Sequence, residues 1–219
     1  MQLLKRCFPF FLLCCVFTAA AVAQEGSDTL HHRKVYVTSG LGWGLAVGAT
    51  NDILKAKFSN SLGLDISLRN RHYFVYPSLD FLAFEYNQHE DDPQYAHRLE
   101  QGRSNFYVLN LAGGMRKQLG KLNVYAFAGP GAAVVVEPRA RLSAADQKIV
   151  IENKSQFTPT VRGGMGADYR IGGFFLFAET GWLHHFRNIQ KRPVNIVSLY
   201  GGLKTDVTRL KDSAIGLFR

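Results

Sequence analysis

Cysteine is scarce in this chain of 219 residues, and its three copies all lie near the amino terminus, at Cys7, Cys14 and Cys15. The rest of the chain therefore has no disulfide framework and no cysteine ligands for a metal. Beyond residue 23 there is also no apolar run approaching ~18 residues, the length that a transmembrane helix requires. These absences exclude a disulfide-rich secreted domain and a helical membrane protein.

The segment 1–23 has the three parts of a secretory signal. Two basic residues precede an apolar stretch over 8–16, and Ala21-Val22-Ala23 is a cleavage site of the A-x-A type. We predict that this segment is a cleaved signal peptide and that the mature chain begins at Gln24. A membrane anchor is the alternative, and the short apolar stretch with small residues at its end disfavours it.

The charge balance is basic and limits the choice of partners. The formal charge is +9, and removal of the leader with its two basic residues leaves +7. Such a surface suits contact with anionic lipid headgroups or lipopolysaccharide phosphates, although an ordinary solvated surface is the simpler interpretation. We expect outer-membrane lipid and lipopolysaccharide as partners. Nucleic acid is not expected, because this exported chain has no basic aromatic motif.

Short stretches alternate apolar and polar residues with the period of two that is typical of a β-strand. In Leu62–Arg69, four leucine and isoleucine side chains share one face, and small or charged side chains share the other. The stretch 158–170 repeats this pattern. Pro77 and Pro130 interrupt two strands and predict irregular pairing there. Eight strands are predicted in all, over 34–48, 62–69, 73–86, 105–117, 123–136, 157–170, 174–184 and 195–205.

The connections between these strands alternate in length. Short ones lie at 70–72, 118–122 and 171–173, and longer, more polar ones at 49–61, 87–104, 137–156 and 185–194. This asymmetry is typical of outer-membrane barrels, which have short periplasmic turns and long extracellular loops. We therefore predict an all-β fold, an eight-stranded antiparallel up-and-down transmembrane β-barrel over 24–205, followed by a polar carboxy-terminal tail over 206–219. A secreted soluble barrel that binds a hydrophobic ligand is the alternative, and it would reverse the two faces.

The polar faces of the strands supply charges for the barrel interior. Side chains just fill the interior of an eight-stranded barrel, and buried charges must be paired. We predict a salt-bridged lumen that passes little ion current, with no metal site and no cofactor. Its charge network is predicted to consist of Asp65, Arg69, Asp80, Arg116, Arg162, Asp168, Arg170, Glu179 and Lys204.

Catalytic motifs are missing, and one pair of histidines is the strongest candidate for chemistry. The chain has no G-x-S-x-G and no H-E-x-x-H sequence. Some outer-membrane lipid A deacylases resemble this chain in size and barrel type, and they carry His-x-Ser-Asn near a strand end. Here His184 and His185 occupy such a place, but Arg187 replaces the serine nucleophile. We predict no enzymatic activity. A lipid A or phospholipid acyl hydrolase that uses His184 or His185 is the alternative.

Several glycine-rich segments resemble a known family. They are Tyr125–Gly131, Gly163–Tyr169 and Leu199–Leu203, together with a seventh strand that bears Glu179. They are similar to the small outer-membrane β-barrel domain family of Bacteroidota, which includes PorT-like and OmpX-like eight-stranded barrels. The resemblance implies the cell outer membrane of a Gram-negative bacterium and a role in envelope structure or interaction. It also implies contact with envelope or secretion-system proteins through the long loops.

Overall fold

The computed structural model describes residues 35–90, 98–143 and 148–207, so the predicted signal peptide and most of the predicted tail lie outside the described residues. Among the described residues, a helix with the length and hydrophobicity to span a bilayer is absent. The described strands are β1 (Val35–Val47), β2 (Leu54–Ala56), β3 (Phe58–Ser67), β4 (Tyr73–Tyr86), β5 (Gly102–Leu119), β6 (Leu122–Ser143), β7 (Lys148–Ile171), β8 (Phe174–Ile189) and β9 (Arg192–Asp206).

These strands form a closed antiparallel ring. From β3 to β9 each strand pairs with the next along the chain, and β1 pairs with both β3 and β9. The short β2 pairs with β4 on the same side as β3, so β2 and β3 share one position that is interrupted at Lys57. The ring therefore has eight positions, and the predicted eight-stranded up-and-down barrel is confirmed.

The side chains alternate between the two faces of the barrel wall. In β1, burial switches at every residue from Tyr36 to Ala46. Leu64 is 38% exposed on the outside, whereas Asp65 and Arg162 are 4% and 2% exposed in the interior. Apolar side chains thus face the surroundings and charges face inward. This is the arrangement of a transmembrane barrel and the reverse of a soluble one.

The two ends of the barrel differ in their connections. At one end, called the turn end, the chain turns within 68–72, 120–121 and 172–173. Gly120 and Gly172 have φ angles of 63° and 58°, and glycine adopts this left-handed conformation readily. The opposite end, called the loop end, carries the connections that follow β1, β4, β6 and β8.

The long connections predicted for the loop end are partly wrong. Instead of a loop over 185–194, β8 continues past a bulge to Ile189, and the turn to β9 is only Gln190 and Lys191. Both turn residues have positive φ angles, of 48° and 62°. The polar composition of 186–189 concealed the strand, because strands beyond a lipid-facing band need no apolar face.

The predicted loop over 137–156 is also largely strand. The strands β6 and β7 remain paired as far as Ser143, whereas β5 leaves β6 beyond Val136 and β8 leaves β7 beyond Thr160. Beyond these points β6 over 137–143 and β7 over 148–157 form a two-stranded ribbon at the loop end, called the projecting hairpin below. Backbone hydrogen bonds between its strands maintain it where the barrel wall has ended.

Both prolines that were expected to disturb pairing lie beside gaps in the ladders. The pairing of β3 with β4 is interrupted next to Pro77, and the pairing of β5 with β6 is interrupted next to Pro130. Proline has no N–H to donate to a ladder, so each gap follows from the residue type.

Candidate functional site

An ionic layer, called the lower layer, crosses the lumen near the turn end. Asp65 on β3 accepts hydrogen bonds of 2.9 Å from both terminal nitrogens of Arg116 on β5. Lys204 on β9 donates to Asp65 at 2.5 Å and to Asp168 on β7 at 2.9 Å. Asn123 adds a hydrogen bond of 3.1 Å to Asp168. Two carboxylates and two cations therefore neutralise one another and connect four strands across the lumen.

A second ionic layer, called the middle layer, is built around Arg162 on β7. Its guanidinium donates to Asp80 on β4 at 2.5 Å and to Glu179 on β8 at 2.8 Å. Asn110 donates to Asp80 at 3.0 Å, and the Tyr125 hydroxyl donates to Glu179 at 3.2 Å. One guanidinium and two neutral donors thus serve two buried carboxylates. A buried charge without such partners would be strongly unfavourable.

Between the middle layer and the loop end the lumen is apolar. Because apolar residues occupy both faces of the strands here, alternation could not reveal this part of the interior, and it was not predicted. The apolar layer consists of Leu82, Phe84, Phe106, Val108, Val135, Leu183, Val194 and Ile196, all buried.

A polar cluster closes the lumen at the loop end. Arg139 donates to Glu137 at 2.7 Å and also to the Tyr86 hydroxyl. Gln190, in the turn between β8 and β9, donates to the same hydroxyl at 2.8 Å. Its side-chain oxygen accepts the backbone N–H of His89 at 2.8 Å. These bonds hold the left-handed turn against the chain that follows β4.

This cluster was not predicted, because the polar residues of 137–156 indicated a loop. The sequence does contain a signal for these two charges. Glu137 and Arg139 continue the inward positions of Ala133 and Val135 at a spacing of two. Following the alternation past the last apolar residue would have found both charges.

The structure brings seven of the nine predicted lumen charges into the interior, and the other two lie near the turn end. Arg69 is exposed, because β3 ends at Ser67 and the alternation stops there. Its assignment to the lumen is therefore wrong. Arg170 is half-buried at the turn end, where its Nε donates to the carbonyl of Gly172 at 3.4 Å.

The two histidines considered for chemistry point to opposite faces of β8, as adjacent strand residues do. His185 is buried in the lumen with its ring centroid 5.2 Å from that of Phe106, and among the described residues neither of its ring nitrogens has a hydrogen-bond partner. His184 stacks on Trp182 outside the lumen, and its Nδ1 lies 2.8 Å from Asn195 Oδ1. Within the described chain no histidine bonds to a hydroxyl, so nothing in this geometry favours the hydrolase alternative.

Comparisons with known proteins agree with this architecture. No family model and no curated protein matches the chain. A major outer membrane protein from Thermus thermophilus matches with a TM-score of 0.58 at 11% identity, over 78% of this chain and 99% of that one. The fold is that of an outer-membrane β-barrel. Neisserial surface protein A matches at 11% identity with a TM-score of 0.48, over 78% of this chain and 96% of that chain. Ail, the attachment invasion locus protein of Yersinia pestis, matches at 12% identity with a TM-score of 0.44, over 78% and 97%.

Proposed function

We propose that the protein is a non-catalytic outer-membrane β-barrel of a Gram-negative bacterium. The barrel serves as a closed, rigid support, and its loop end carries the surface that interacts with other envelope molecules. The observation that carries this proposal is the filled lumen behind an apolar outer wall. The turn end would face the periplasm and the loop end the exterior, as in other barrels with short turns at one end.

The lumen is unsuited to conduction because its layers differ in chemistry and are all filled. Asp80 and Glu179 both accept hydrogen bonds from Arg162 across the middle, and the apolar layer above them interrupts any continuous polar path. Hydrophobic constrictions of this kind exclude water and ions. Reconstituted protein should therefore pass little current in planar bilayers, and large, stable channels would contradict a closed lumen.

The projecting hairpin is the surface proposed for interaction. The outer edge of β7 over 148–157 has no neighbouring strand within the described chain, and Ile149, Ile151 and Phe157 are each more than half exposed. Free strand edges pair with strands of other proteins, and exposed apolar patches mark interaction sites. We assign this edge to an envelope or secretion-system protein, with lipopolysaccharide and lipid around the barrel wall.

Membrane fractionation tests the barrel itself. The protein, expressed with its leader in a Gram-negative host, should appear in the outer-membrane fraction and need detergent for extraction. The folded barrel should migrate differently from the heated one in a denaturing gel. Recovery of the mature protein in the soluble fraction without detergent would overturn the proposal.

Shortening the projecting hairpin tests the interaction surface. A variant in which 140–151 is replaced by a two-residue turn and Phe157 by serine lacks all three exposed apolar side chains. It should stay heat-modifiable, because the shortened segment lies beyond the paired wall, but it should lose cross-links to envelope proteins. Arg141→Gln is the control, since the pair of 3.2 Å that Arg141 forms with Glu152 in the described structure is exposed. Cross-links that persist in the shortened variant would assign the contact to another surface.

Membership of the small Bacteroidota barrel family is part of the same proposal. It is supported by the eight-position ring and by the glycine-rich segments of β6 and β7. The absence of catalysis is tested by His185→Ala, which should leave lipid A acylation unchanged. A change in acylation would restore the hydrolase alternative.

A further inference from the structure

The outer wall of the barrel carries a groove with a floor of small residues. Gly201 on β9 is paired with Ala178 on β8, Ala178 with Ala167 on β7, and Ala167 with Val124 on β6. One step further along the same row, Val124 is paired with Lys117 on β5. The row therefore descends across five strands and ends at the turn end of the barrel.

Larger side chains border this floor on both sides. On the side toward the loop end, Leu199 lies two residues from Gly201 and Met165 two residues from Ala167. Trp43 on β1 is paired with Leu199 and lines the same side. On the side toward the turn end lie Leu203 and Tyr169, which are exposed on the same wall. The groove encloses about 870 Å³ and is lined almost entirely by apolar atoms. This volume lies within the range of small-molecule sites, roughly 300–1,000 Å³.

The packing of the barrel does not require these outer residues to be small. Inside the lumen, a Cβ at Gly164 would lie 2.6 Å from Phe127 Cζ, so that glycine makes room for a ring. On the outer wall, the nearest atom to a Cβ at Gly201 would be the Phe177 oxygen at 3.8 Å. A larger side chain at Gly201 would fit the fold, so the open groove does not result from packing within the chain.

Cations lie at the lower end of the groove. His72 and Lys117 line this end. The three turns at the turn end, with the flanking Lys117 and Arg170, contain five lysines and arginines and no acidic residue: Arg69, Arg71, Lys117, Lys121 and Arg170. Arg69, Arg71, Lys117 and Lys121 are exposed and form no ion pair within the described part of the chain.

At the loop end, three of the cations lie near carboxylates. Lys191 lies 3.0 Å from Glu90, Arg192 lies 2.9 Å from Asp52, and Lys57 lies 3.5 Å from Glu85. The four exposed cations of the turn end, by contrast, have no such partner within the described residues. An anion at the lower end of the groove would therefore meet Lys117, for which the described structure shows no carboxylate partner.

We infer that the groove binds an anionic phospholipid of the membrane leaflet at the turn end. The acyl chain lies along the floor of Gly201, Ala178 and Ala167, and the phosphate meets Lys117 and Arg71. An apolar channel that ends in exposed cations matches a molecule with an apolar chain and an anionic head. This inference rests on the membrane insertion proposed above. A second copy of the chain is the competing occupant.

Native mass spectrometry of the full barrel in mild detergent tests the inference. Phosphatidylglycerol and phosphatidylcholine with identical acyl chains are supplied in equal amounts, and retained lipid is measured. Phosphatidylglycerol should be retained preferentially, and the preference should fall about fivefold for each cation removed in Lys117→Gln and Arg71→Gln. Equal retention of the two lipids by the unmodified protein would overturn the assignment.

Larger side chains on the floor test the contribution of the groove to lipid binding separately from that of the cations. Gly201→Leu with Ala178→Leu should abolish retention of both lipids and leave heat-modifiable mobility unchanged, because both side chains point away from the lumen. Ser39→Leu, outward on β1 but outside the groove, is the matched control and should retain lipid normally. If the filled variant still retains phosphatidylglycerol, the groove is not the site. A lipid-free dimer that the filled variant loses would assign the groove to a second copy of the chain.

The outcome for the groove is distinct from the outcome for the barrel. Failure of the protein to enter the membrane fraction would remove the proposed function. A heat-modifiable barrel without lipid preference would remove only the assignment of the groove.

Discussion

The two halves of the lumen are filled by different means. The half near the turn end holds both ionic layers, with Asp65, Lys204 and Arg162 bonded to partners on other strands, together with a cluster of buried aromatic side chains. The half near the loop end is apolar, with Leu82 and Phe106 among its buried side chains. Ion pairs demand one geometry, whereas apolar side chains demand only a matching volume. The ionic half therefore specifies strand register, since a slip of one residue would turn every charge toward lipid.

The largest expected effect is the loss of Arg162 from the ionic half. Arg162→Leu removes the only cation that the described structure places against Asp80 and Glu179, and it leaves two carboxylates buried. We expect the free energy of unfolding to fall by about 3–5 kcal/mol. Urea unfolding of the barrel in lipid vesicles, followed by tryptophan fluorescence, measures the change.

A neutralised triple variant distinguishes charge from packing. Asp80→Asn and Glu179→Gln, combined with Arg162→Leu, remove the stranded charges at nearly constant volume. Most of the lost stability should return, because well-matched neutral replacements of buried ion pairs are often nearly neutral in energy. A triple variant as unstable as Arg162→Leu alone would show that Arg162 acts through its volume.

The apolar half should respond to volume and not to charge. Leu82→Ala should lower the free energy of unfolding by about 3 kcal/mol, because it leaves a cavity among rigid neighbours. A Cβ at Gly44 would lie 2.9 Å from Leu82 Cδ2, so Gly44→Ala adds a methyl group at that cavity. The double variant should recover part of the loss in the same urea titration. No recovery would mean that the lumen wall moves inward to close the cavity.

The contrast between the halves also explains what could be read from the sequence. Asp65, Arg162 and Asp168 stood out because each charge interrupts an otherwise apolar strand, and such a charge must face a polar interior. Leu82 and Phe106 did not stand out, since their outward neighbours Phe81 and Tyr107 are also apolar. Alternation reports polarity differences between faces, so it is silent where both faces are apolar.

The ends of the strands limited the prediction for a different reason. Arg69 was extrapolated beyond the last strand position, whereas Glu137 and Arg139 were excluded because the surrounding residues are polar. The alternation used to locate strands depends on lipid contact, yet pairing between β6 and β7 continues without it. Backbone hydrogen bonding between long hairpin strands leaves no comparable pattern in the side chains.

A smaller effect is expected for a polar side chain within the apolar half. His185 is buried against Phe106, and its ring nitrogens have no hydrogen-bond partner in the described structure. Burial of a polar group without a partner is unfavourable, by roughly 1–3 kcal/mol. His185→Leu should therefore raise the free energy of unfolding by about 1 kcal/mol. An equal loss of stability would mean that the imidazole takes part in a polar contact within the apolar half.

The smallest effect is expected for an ion pair outside both halves. Arg192 donates to both carboxylate oxygens of Asp52, at 2.9 and 3.0 Å, and to the carbonyl of Ala49 at 2.8 Å. The hydrogen bond from Arg192 holds the pKa of the exposed Asp52 carboxyl below its ordinary value. The ion pair between Asp52 and Arg192 therefore contributes to stability above the ordinary pKa of aspartate. This contribution is lost as the pH falls through the lowered pKa of Asp52 in the folded state.

Arg192→Gln should raise the pKa of Asp52 toward its ordinary value, which carboxyl carbon chemical shifts in micelles would measure. The change in stability at neutral pH should be small, because exposed ion pairs are screened by water and salt. Arg141→Gln, at the exposed pair with Glu152, is the matched control and should leave the pKa of Asp52 unchanged. A loss of stability comparable to that of Arg162→Leu would show that position in the lumen is not what makes an ion pair strong here. The contrast between buried and exposed pairs depends on the smallness of this effect.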